Sequence, residues 1–329
     1  MAVDGTVEDV PDTPANAAAF GRQKGSRGDS AFPQLRNVYL VESGTHVICD
    51  AIVRGYQFDE RSGALRLLRS VDANMLLMWD RGFHSFRMVH DCLGRGCHFL
   101  GRVPAHAILE AQEALPDGSF IAELYETPYD REKRRNGIRV RVVEYTIDDP
   151  AREGDGEKHR LITSLLDPQR APAHVLAIEY HQRWEIEITI DEIDTHQRVH
   201  NKRPLRSEKP TGVIQEMYGM LLAHYLVRFF MHEAAQQKQL DPERLSFINA
   251  LRIIRRKIDK FQITKPRRRD ALYRSMLREI ARELLPPRDN RCNPRVVRRK
   301  MSKFALKREV HTRVHHPRKS FAESVKMLN

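Results

Sequence analysis

The stretch YHQRWEIEITIDEIDTHQR, residues 180–198, combines a helical pattern with side chains suited to binding a ligand. Tyr180, Arg183 and Glu187 follow one another at the three- and four-residue spacing that places side chains on one face of an α-helix. Asp194 continues this face seven residues after Glu187. The simplest interpretation is an Arg–Glu pair at i, i+4, which would stabilise an exposed helix by about 0.2–0.5 kcal/mol. The alternative is a helix that presents a phenol, a guanidinium and a carboxylate to one ligand.

Segments with the composition of β-strands precede this helix. They cover residues 1–7, 35–43, 45–53, 74–80 and 97–103, and the second and third of them suggest a hairpin. Apolar residues recur at helical spacing in 61–71 and 85–93, whereas the Pro-, Gly- and Asn-containing residues 11–33 predict a loop. Strands with helices between them predict an α/β fold in which a mixed sheet is flanked by helices.

The pattern changes twice further along the chain. Residues 106–175 contain β-branched or alternating runs such as IRVRVVEYTI (138–147), which predict a β-rich insertion. Beyond this insertion, apolar residues recur at helical spacing and predict helices in 173–197, 211–237, 242–260 and 268–285. The last 40 residues mix basic residues with few apolar ones, so we expect them to be loosely held.

The charge of the chain is concentrated in its C-terminal part. The whole sequence has 56 Lys and Arg against 44 Asp and Glu, a formal net charge of +12, and the residues from Phe261 onward alone carry +14. A basic part of this kind predicts a polyanionic partner, most often nucleic acid. The alternative is a solvated tail that binds nothing in particular. Few aromatic residues lie between the basic ones, so the sequence does not favour base stacking on single strands.

The four cysteines show no paired spacing and are typical of a reduced, cytoplasmic protein. Cys92, Cys97 and His98 could bind a zinc ion, but no second pair of ligands lies at a matching distance in the sequence. No apolar run approaches the length of a membrane span, so we expect no membrane partner.

Three acids are candidates for a catalytic metal site. Asp4 is expected to close the first strand and Asp80 another, while Glu187 lies on the helix described above. Each alone would more often be a turn former or a helix cap. Together they could hold two divalent cations, because Mg²⁺ prefers carboxylate and water oxygens and a pair of ions promotes phosphoryl transfer.

The helix resembles the Tyr-x2-Arg-x3-Glu-x6-Lys signature of DDE transposases of the insertion sequence four family. Tyr180, Arg183 and Glu187 match it in identity and spacing. The segment DRGFHS (80–85) resembles the second-Asp motif of that family, and VDGTVEDVPDTPANAAAFGR (3–22) resembles its first-Asp segment. The segment LRSEKPTGVIQEMYGMLLAHYLVR (205–228) is similar to the helices that follow the signature. The resemblance extends from about residue 3 to about residue 260.

The resemblance implies an RNase H-like core that is interrupted by the β-rich insertion. The predicted domains are then 1–105, the first part of the core; 106–175, the insertion; 176–240, the rest of the core; and 241–329, a helical, basic C-terminal region. Asp4, Asp80 and Glu187 would be the catalytic residues and the ligands of Mg²⁺, with Mn²⁺ as a substitute. Tyr180 and Arg183 would contact phosphates of the transposon end.

The resemblance also implies the partners and the reaction. The enzyme would cut and join double-stranded DNA, both transposon ends and target, as a homodimer in a synaptic complex on the nucleoid. The alternative is a remnant of a transposase that binds DNA, or inhibits a relative, without catalysis.

Two departures from the family pattern affect this expectation. Asp194 stands where the signature has Lys, and two like charges a few ångströms apart cost on the order of 1–4 kcal/mol. Asp194 could bind a metal of its own, but we expect that it impairs activity, and His196 or Lys202 could replace part of the missing charge. Only three residues precede Asp4, so we expect a chain that begins at an internal Met of a longer reading frame, or a gene remnant.

Overall fold

The computed structural model describes residues 1–25, 28–150, 152, 155–198, 204–286 and 319–328, and the backbone of two short strands at 295–296 and 305–306. These residues form two compact units. The first consists of Met1–Val71 and Arg183–Pro286, and the second of Asp72–Gln182 and the described part of Pro287–Asn329.

The strands of both units are numbered in chain order. They are β1 (Ala2–Asp9), β2 (Lys24–Gly25), β3 (Gly28–Asp29), β4 (Gln34–Glu42), β5 (Val47–Gly55), β6 (Leu76–Trp79), β7 (His98–Arg102), β8 (Glu113–Ala114), β9 (Phe120–Leu124), β10 (Ile138–Ile147), β11 (His159–Thr163), β12 (Arg295–Val296), β13 (Ala305–Leu306) and β14 (Val325–Met327).

The helices follow the same convention. They are α1 (Pro14–Phe20), α2 (Glu60–Leu67), α3 (Phe86–Gly94), α4 (Pro128–Lys133), α5 (Ala173–His181), α6 (Glu185–Asp191), α7 (Pro210–Lys238), α8 (Phe247–Ile263), α9 (Pro266–Ile280) and α10 (Phe321–Ser324). A 3₁₀ turn, Gln182–Trp184, joins α5 to α6, and a π-helical turn, Glu192–Gln197, follows α6.

In the first unit, β4 pairs antiparallel with both β1 and β5, and α6 packs against β1. The turn between β4 and β5 is closed by the Glu42 carboxylate, which accepts hydrogen bonds from the backbone N–H groups of Gly44 and Thr45 at 3.0 and 2.7 Å. Helices α7, α8 and α9 bury a common apolar cluster that includes Met231, Leu251 and Leu277. This cluster makes the helices after the signature a packed body.

In the second unit, β6 runs parallel to β7, and α3 connects them. Strand β11 then pairs antiparallel with β7 and β10, and β10 also pairs with β9 and β14. Helix α3 begins where the Ser85 hydroxyl accepts a hydrogen bond from the Met88 N–H. Parallel and antiparallel pairs in one set of strands, with helices packed on it, confirm the predicted α/β class with a mixed sheet.

Most predicted elements are present, two expectations were wrong, and a third is contradicted only for the residues that are described. The predicted loop at 11–33 contains α1, which the Thr13 side chain caps and Pro14 begins. Asp4 lies inside β1 rather than at its end. Most of the last 40 residues lie outside the described ones, but the segment that is described forms α10 and β14, and β14 pairs with β10. The predicted domain bounds stay a prediction.

Within the described residues, no helix is both long enough and apolar enough to cross a membrane.

Candidate active site

The guanidinium of Arg183 joins two carboxylates that lie far apart in the sequence. Its Nη1 donates to Asp4 Oδ2 at 3.3 Å, and its Nη2 donates to Glu187 Oε1 at 3.2 Å. The Arg183 side chain is buried, whereas those of Asp4 and Glu187 are 23% and 34% exposed. Burial of a guanidinium is tolerated here because these two hydrogen bonds are charge-assisted. The first unit therefore brings three predicted site residues together.

Strand β1 positions Asp4 within a regular ladder. Asp4 lies opposite Tyr39 of β4, and its Oδ1 accepts a hydrogen bond from the Gly5 N–H at 2.8 Å. Glu60, at the start of α2, lies over the same part of the strand, since a Cβ built on Gly5 would be 1.8 Å from Glu60 Oε1. Burial raises the pKa of Glu60, and the Asp4 charge contributes to the increase. Sequence reasoning missed this additional carboxylate, because nothing in the α2 pattern distinguishes it from a helix-start acid.

Thr6 and Glu8 lie on the same face of β1 as Asp4, because every second side chain of a strand points to the same side. Both contact residues that follow α6. The Thr6 hydroxyl donates to Asp194 Oδ2 at 3.3 Å, and Arg198 Nη1 donates to Glu8 Oε2. We call this arrangement the polar ladder; it comprises Asp4, Thr6 and Glu8 on the strand and Arg183, Asp194 and Arg198 on the facing segment.

The surroundings of Asp194 favour its protonated form at neutral pH. Burial raises its pKa, and the hydrogen bond to Glu8 and the charge of Glu8 raise it further, to about 9, against smaller opposite effects of Thr6 and Arg198. Its Oδ1 is buried and receives no hydrogen bond, which disfavours a negative charge on that oxygen. The charge reversal expected from the sequence is therefore cancelled by a proton.

Of the two cations proposed to compensate for Asp194, only His196 lies among the described residues, and it contacts a different acid. His196 Nε2 lies 3.2 Å from Asp191 Oδ2, and Lys202 lies outside the described residues. The cation that faces Glu8 is Arg198, which the sequence analysis did not single out.

Asp80 lies in the second unit, directly after β6, as predicted. Its side chain caps the 3₁₀ turn Arg81–Phe83 by accepting from the Arg81 N–H at 2.7 Å. The preceding residue, Trp79, is fully buried and stacks on Phe99 with ring centroids 5.3 Å apart. The Tyr180 hydroxyl donates to the Trp79 carbonyl oxygen at 3.2 Å. Tyr180 thus fixes the end of the strand that presents Asp80.

A buried network holds the turn that follows Glu187. Arg228 donates to Glu192 Oε2 at 2.9 Å and lies 2.6 Å from His46 Nδ1. His224 Nε2 lies 3.0 Å from Glu192 Oε2, and His46 Nε2 lies 2.9 Å from Glu185 Oε2. These five side chains, the Glu192 network, connect the π-helical turn with α7 and with the turn between β4 and β5.

Burial alone would raise the pKa of Glu192, but the Arg228 guanidinium and the His224 hydrogen bond outweigh it and lower that pKa to about 2. Burial lowers the pKa of both His46 and His224, so both are neutral at pH 7. The sequence contained a hint of this network, because His224 and Arg228 interrupt the apolar run MLLAHYLVRFF (220–230) at i, i+4.

The chemistry of this site fits a divalent cation in part. Asp4 and Glu187 offer carboxylate oxygens, the ligands that Mg²⁺ and Mn²⁺ prefer, and both already converge on one positive group, the Arg183 guanidinium. Among the residues that the structure describes, no three His, Cys, Asp or Glu side chains lie close enough together to hold a metal ion. At the motif considered for zinc, His98 Nδ1 contacts the Ser164 hydroxyl at 3.1 Å.

Helices α8 and α9 carry a basic surface. Its densest part, which we call the basic corner, comprises Lys265 and Arg267–Arg269 at the start of α9, all of them exposed. Arg269 is held by a hydrogen bond from its Nε to the Thr264 carbonyl oxygen at 3.1 Å. The second basic run of the sequence, RVVRRKMSK (295–303), has no described side chains.

The family model and the sequence relative agree with the motifs. The family model described as a transposase DDE domain matches residues 1–226. Transposase InsG for insertion sequence element IS4, from Escherichia coli (strain K12), is 30% identical over 311 residues, 92% of this chain and 68% of that protein. A solved chain of a piggyBac transposase synaptic complex with hairpin DNA superposes with a TM-score of 0.49 and 11% identity, over 85% of this chain and 57% of that chain. On the family model and the sequence relative, this chain belongs to the DDE transposases of the insertion sequence four family.

Proposed function

We propose that this chain is a metal-dependent transposase that cuts double-stranded DNA at transposon ends and joins the ends to target DNA. The observation that carries the proposal is the shared guanidinium. Asp4 and Glu187 lie far apart in the matched region, the family motifs name both independently, and both bind Arg183. If Arg183 served only to stabilise the helix through an i, i+4 pair with Glu187, a contact with the distant Asp4 would not be expected.

Asp4, Asp80 and Glu187 are the proposed ligands of Mg²⁺, or of Mn²⁺ in its place. Such ions would supply Lewis-acid polarisation of the scissile phosphate and compensate the charge that develops on its oxygens. The chain contributes to this chemistry by holding the acids in place. Arg183 fixes two of them, and Tyr180 fixes the backbone that carries the third through its bond to Trp79.

Tyr180 and Arg183 are also proposed to contact phosphates of the transposon end. The Arg183 guanidinium is buried and oriented by two acids, so its planar fork is preorganised for a phosphate that enters between them. A lysine at this position would lack that fork.

The basic corner is proposed to bind the DNA backbone away from the cut. Four exposed cations within five residues supply sequence-independent attraction to phosphates, which weakens as salt rises. The proposed functional unit is a homodimer on DNA, because two transposon ends must be cut and joined together.

The experiment is cutting of a labelled DNA duplex that carries the end of the element. The chain is assayed with Mg²⁺, with Mn²⁺ and with chelator, beside Asp4→Asn, Asp80→Asn and Asp194→Lys. Asp9→Asn is the matched control, because Asp9 is an exposed acid on the same strand as Asp4. We expect metal-dependent cutting that both Asn variants of the site abolish and that Asp9→Asn retains.

The same assay separates the alternatives. Cutting that survives Asp80→Asn would refute the assignment of that residue, and cutting that survives chelator would refute the metal. If no protein cuts but all of them bind the duplex equally, the non-catalytic or inhibitory transposase remnant replaces the enzyme as the function. Asp194→Lys reports whether the missing cation of the signature limits the rate.

A further inference from the structure

Helix α7 has two largely apolar faces, which differ in their exposure to solvent. One is buried in the first unit and includes Val213, Met217, Leu221 and Met231. The other is exposed to solvent although its side chains are large. We call it the α7 stripe; its members are Tyr218 (44% exposed), Leu222 (65%), Tyr225 (44%), Leu226 (51%) and Phe229 (46%).

The stripe lacks the charges that normally cover an exposed helix face. No Asp, Glu, Lys or Arg occurs between Glu216 and Arg228, and Arg228 itself is buried in the Glu192 network. The neighbouring helix α8 shows the usual pattern, with Arg252, Arg255 and Arg256 exposed. Contiguous exposed apolar surface on a chain with 30% charged residues marks a binding surface rather than a solvated face.

We infer that the α7 stripe is a contact between two copies of this chain, with α7 of one copy packed against α7 of the other. A second copy is the occupant whose chemistry fits, because an uncharged stripe that meets its own copy brings no like charges together. DNA does not fit, since the stripe offers no cation to a phosphate. The basic segment 287–318 of the chain does not fit either, because binding it would bury many uncompensated charges.

The spacing of the stripe suits helix-on-helix packing. Tyr218, Leu222, Tyr225 and Phe229 follow one another at intervals of four, three and four residues, the pattern of a coiled-coil seam. Gly219 is exposed beside them and has open space around its Cα, so a second helix can approach closely.

The area available matches a modest dimer. A fully buried aromatic side chain covers about 150–250 Å², so five large side chains that are about half exposed would bury roughly 450 Å² on each copy. Both copies together then approach the roughly 1,000 Å² at which specific interfaces begin. The rings are partly ordered beforehand, because Tyr225 and Phe229 stack with centroids 6.4 Å apart and Phe229 meets Phe230 edge-on at 5.8 Å. Such order lowers the entropy lost on association.

This inference deepens the homodimer of the proposed function, but its test needs neither DNA nor metal, so its failure and a failure of the catalytic proposal are distinguishable. The experiment is sedimentation equilibrium of the whole chain, without DNA, over a wide range of protein concentration. Leu222→Glu and Leu222→Lys place a charge in the stripe at its most exposed member. Ile258→Glu is the matched control, since Ile258 is an apolar residue of α8 with 48% exposure. Circular dichroism checks that each variant is folded.

We expect a monomer–dimer equilibrium for the unchanged chain and for Ile258→Glu, and dissociation constants raised at least about tenfold in both Leu222 variants. An equimolar mixture of Leu222→Glu and Leu222→Lys should regain association, because opposite charges then meet across the helix pair. A chain that stays monomeric at all concentrations overturns the inference. So does a dimer that both Leu222 variants leave unchanged, or one that appears only on DNA and is indifferent to them.

Discussion

Replacing Asp194 with Asn tests whether this carboxyl is neutral in the folded chain. Asn has nearly the shape of a protonated Asp, and it has no proton to release. Its carbonyl oxygen can accept the hydrogen bond of the Thr6 hydroxyl, and its N–H₂ group can donate to Glu8, as the protonated carboxyl does in the unchanged chain. The substitution therefore removes the titration with little change in packing.

The magnitude follows from the difference in pKa between the two states. In the unfolded chain the carboxyl releases its proton near the ordinary value of 3.8, whereas burial and Glu8 raise the pKa of Asp194 in the folded chain to about 9. Between these values the folded state holds a proton that the unfolded state lacks, so the stability of the unchanged chain falls as pH rises. At 1.36 kcal/mol per pH unit the loss is roughly 2 kcal/mol at pH 5 and about 4 kcal/mol at pH 7. Asp194→Asn has no such loss and should be more stable by these amounts.

The assay is urea unfolding of both proteins at pH 4, 5 and 7, followed by far-UV circular dichroism, which reports chiefly the long helices α7–α9 of the first unit. Asp191→Asn is the control, because the Asp191 side chain is 56% exposed and lies near His196. We expect the curves of the unchanged chain and of Asp194→Asn to coincide near pH 4 and to separate as pH rises. A difference in unfolding free energy that stays constant across this range would refute the protonated state of Asp194.

Three further predictions concern other parts of the chain. Glu192→Gln should cost about 3 kcal/mol of unfolding free energy at pH 7, and the difference should shrink as pH falls from 4.5 toward 2, where the native carboxyl protonates. Gly101→Ala should lower the melting temperature through a clash, since its Cβ would lie 2.2 Å from the buried ring of Trp79, at a cost of about 1–3 kcal/mol; Gly94→Ala, with open space, should not. Replacing the arginines 267–269 by Ala should reduce the slope of log K against log salt in DNA binding by about 2–3, whereas an unchanged slope would exclude them as phosphate contacts.

The long periodic elements could be predicted from the sequence. Helix α7 was expected at 211–237 and spans Pro210–Lys238, because a regular apolar pattern over many turns leaves little choice of structure. Strand β6 was expected to end at Asp80, and it ends at Trp79 with Asp80 next, since an apolar run that stops at an acid marks both burial and a turn.

Local patterns misled where a neighbour decides the structure. Asp4 was expected to close the first strand, yet β4 pairs with β1 along its whole length and keeps Asp4 within the strand. The residues of α1 contain Pro and Asn, which are typical of loops, but Thr13 supplies a cap and Pro14 occupies the first helical position. Strand pairing and capping therefore overrode residue preference at both places.

The Glu192 network and the protonation of Asp194 could not be predicted from the sequence, for a different reason. Both depend on side chains that are distant in the chain and meet only after folding, such as His46 with Arg228, or Glu8 with Asp194. Burial sets the sign of each pKa shift, and burial of a single polar side chain has no local signature in a sequence.

The proton on Asp194 changes what this departure from the family signature means. A charged Asp would have added an anion to the face of β1, but a neutral one only omits the cation of the signature lysine. With Arg198 on Glu8, the polar ladder and Glu187 together carry one net negative charge at neutral pH, and a lysine at position 194 would make them neutral. One additional negative charge strengthens the attraction of the site for a divalent cation and weakens it for a DNA phosphate. In the proposed function, Asp194 should therefore weaken the binding of the transposon end and strengthen the binding of metal, compared with a lysine at this position.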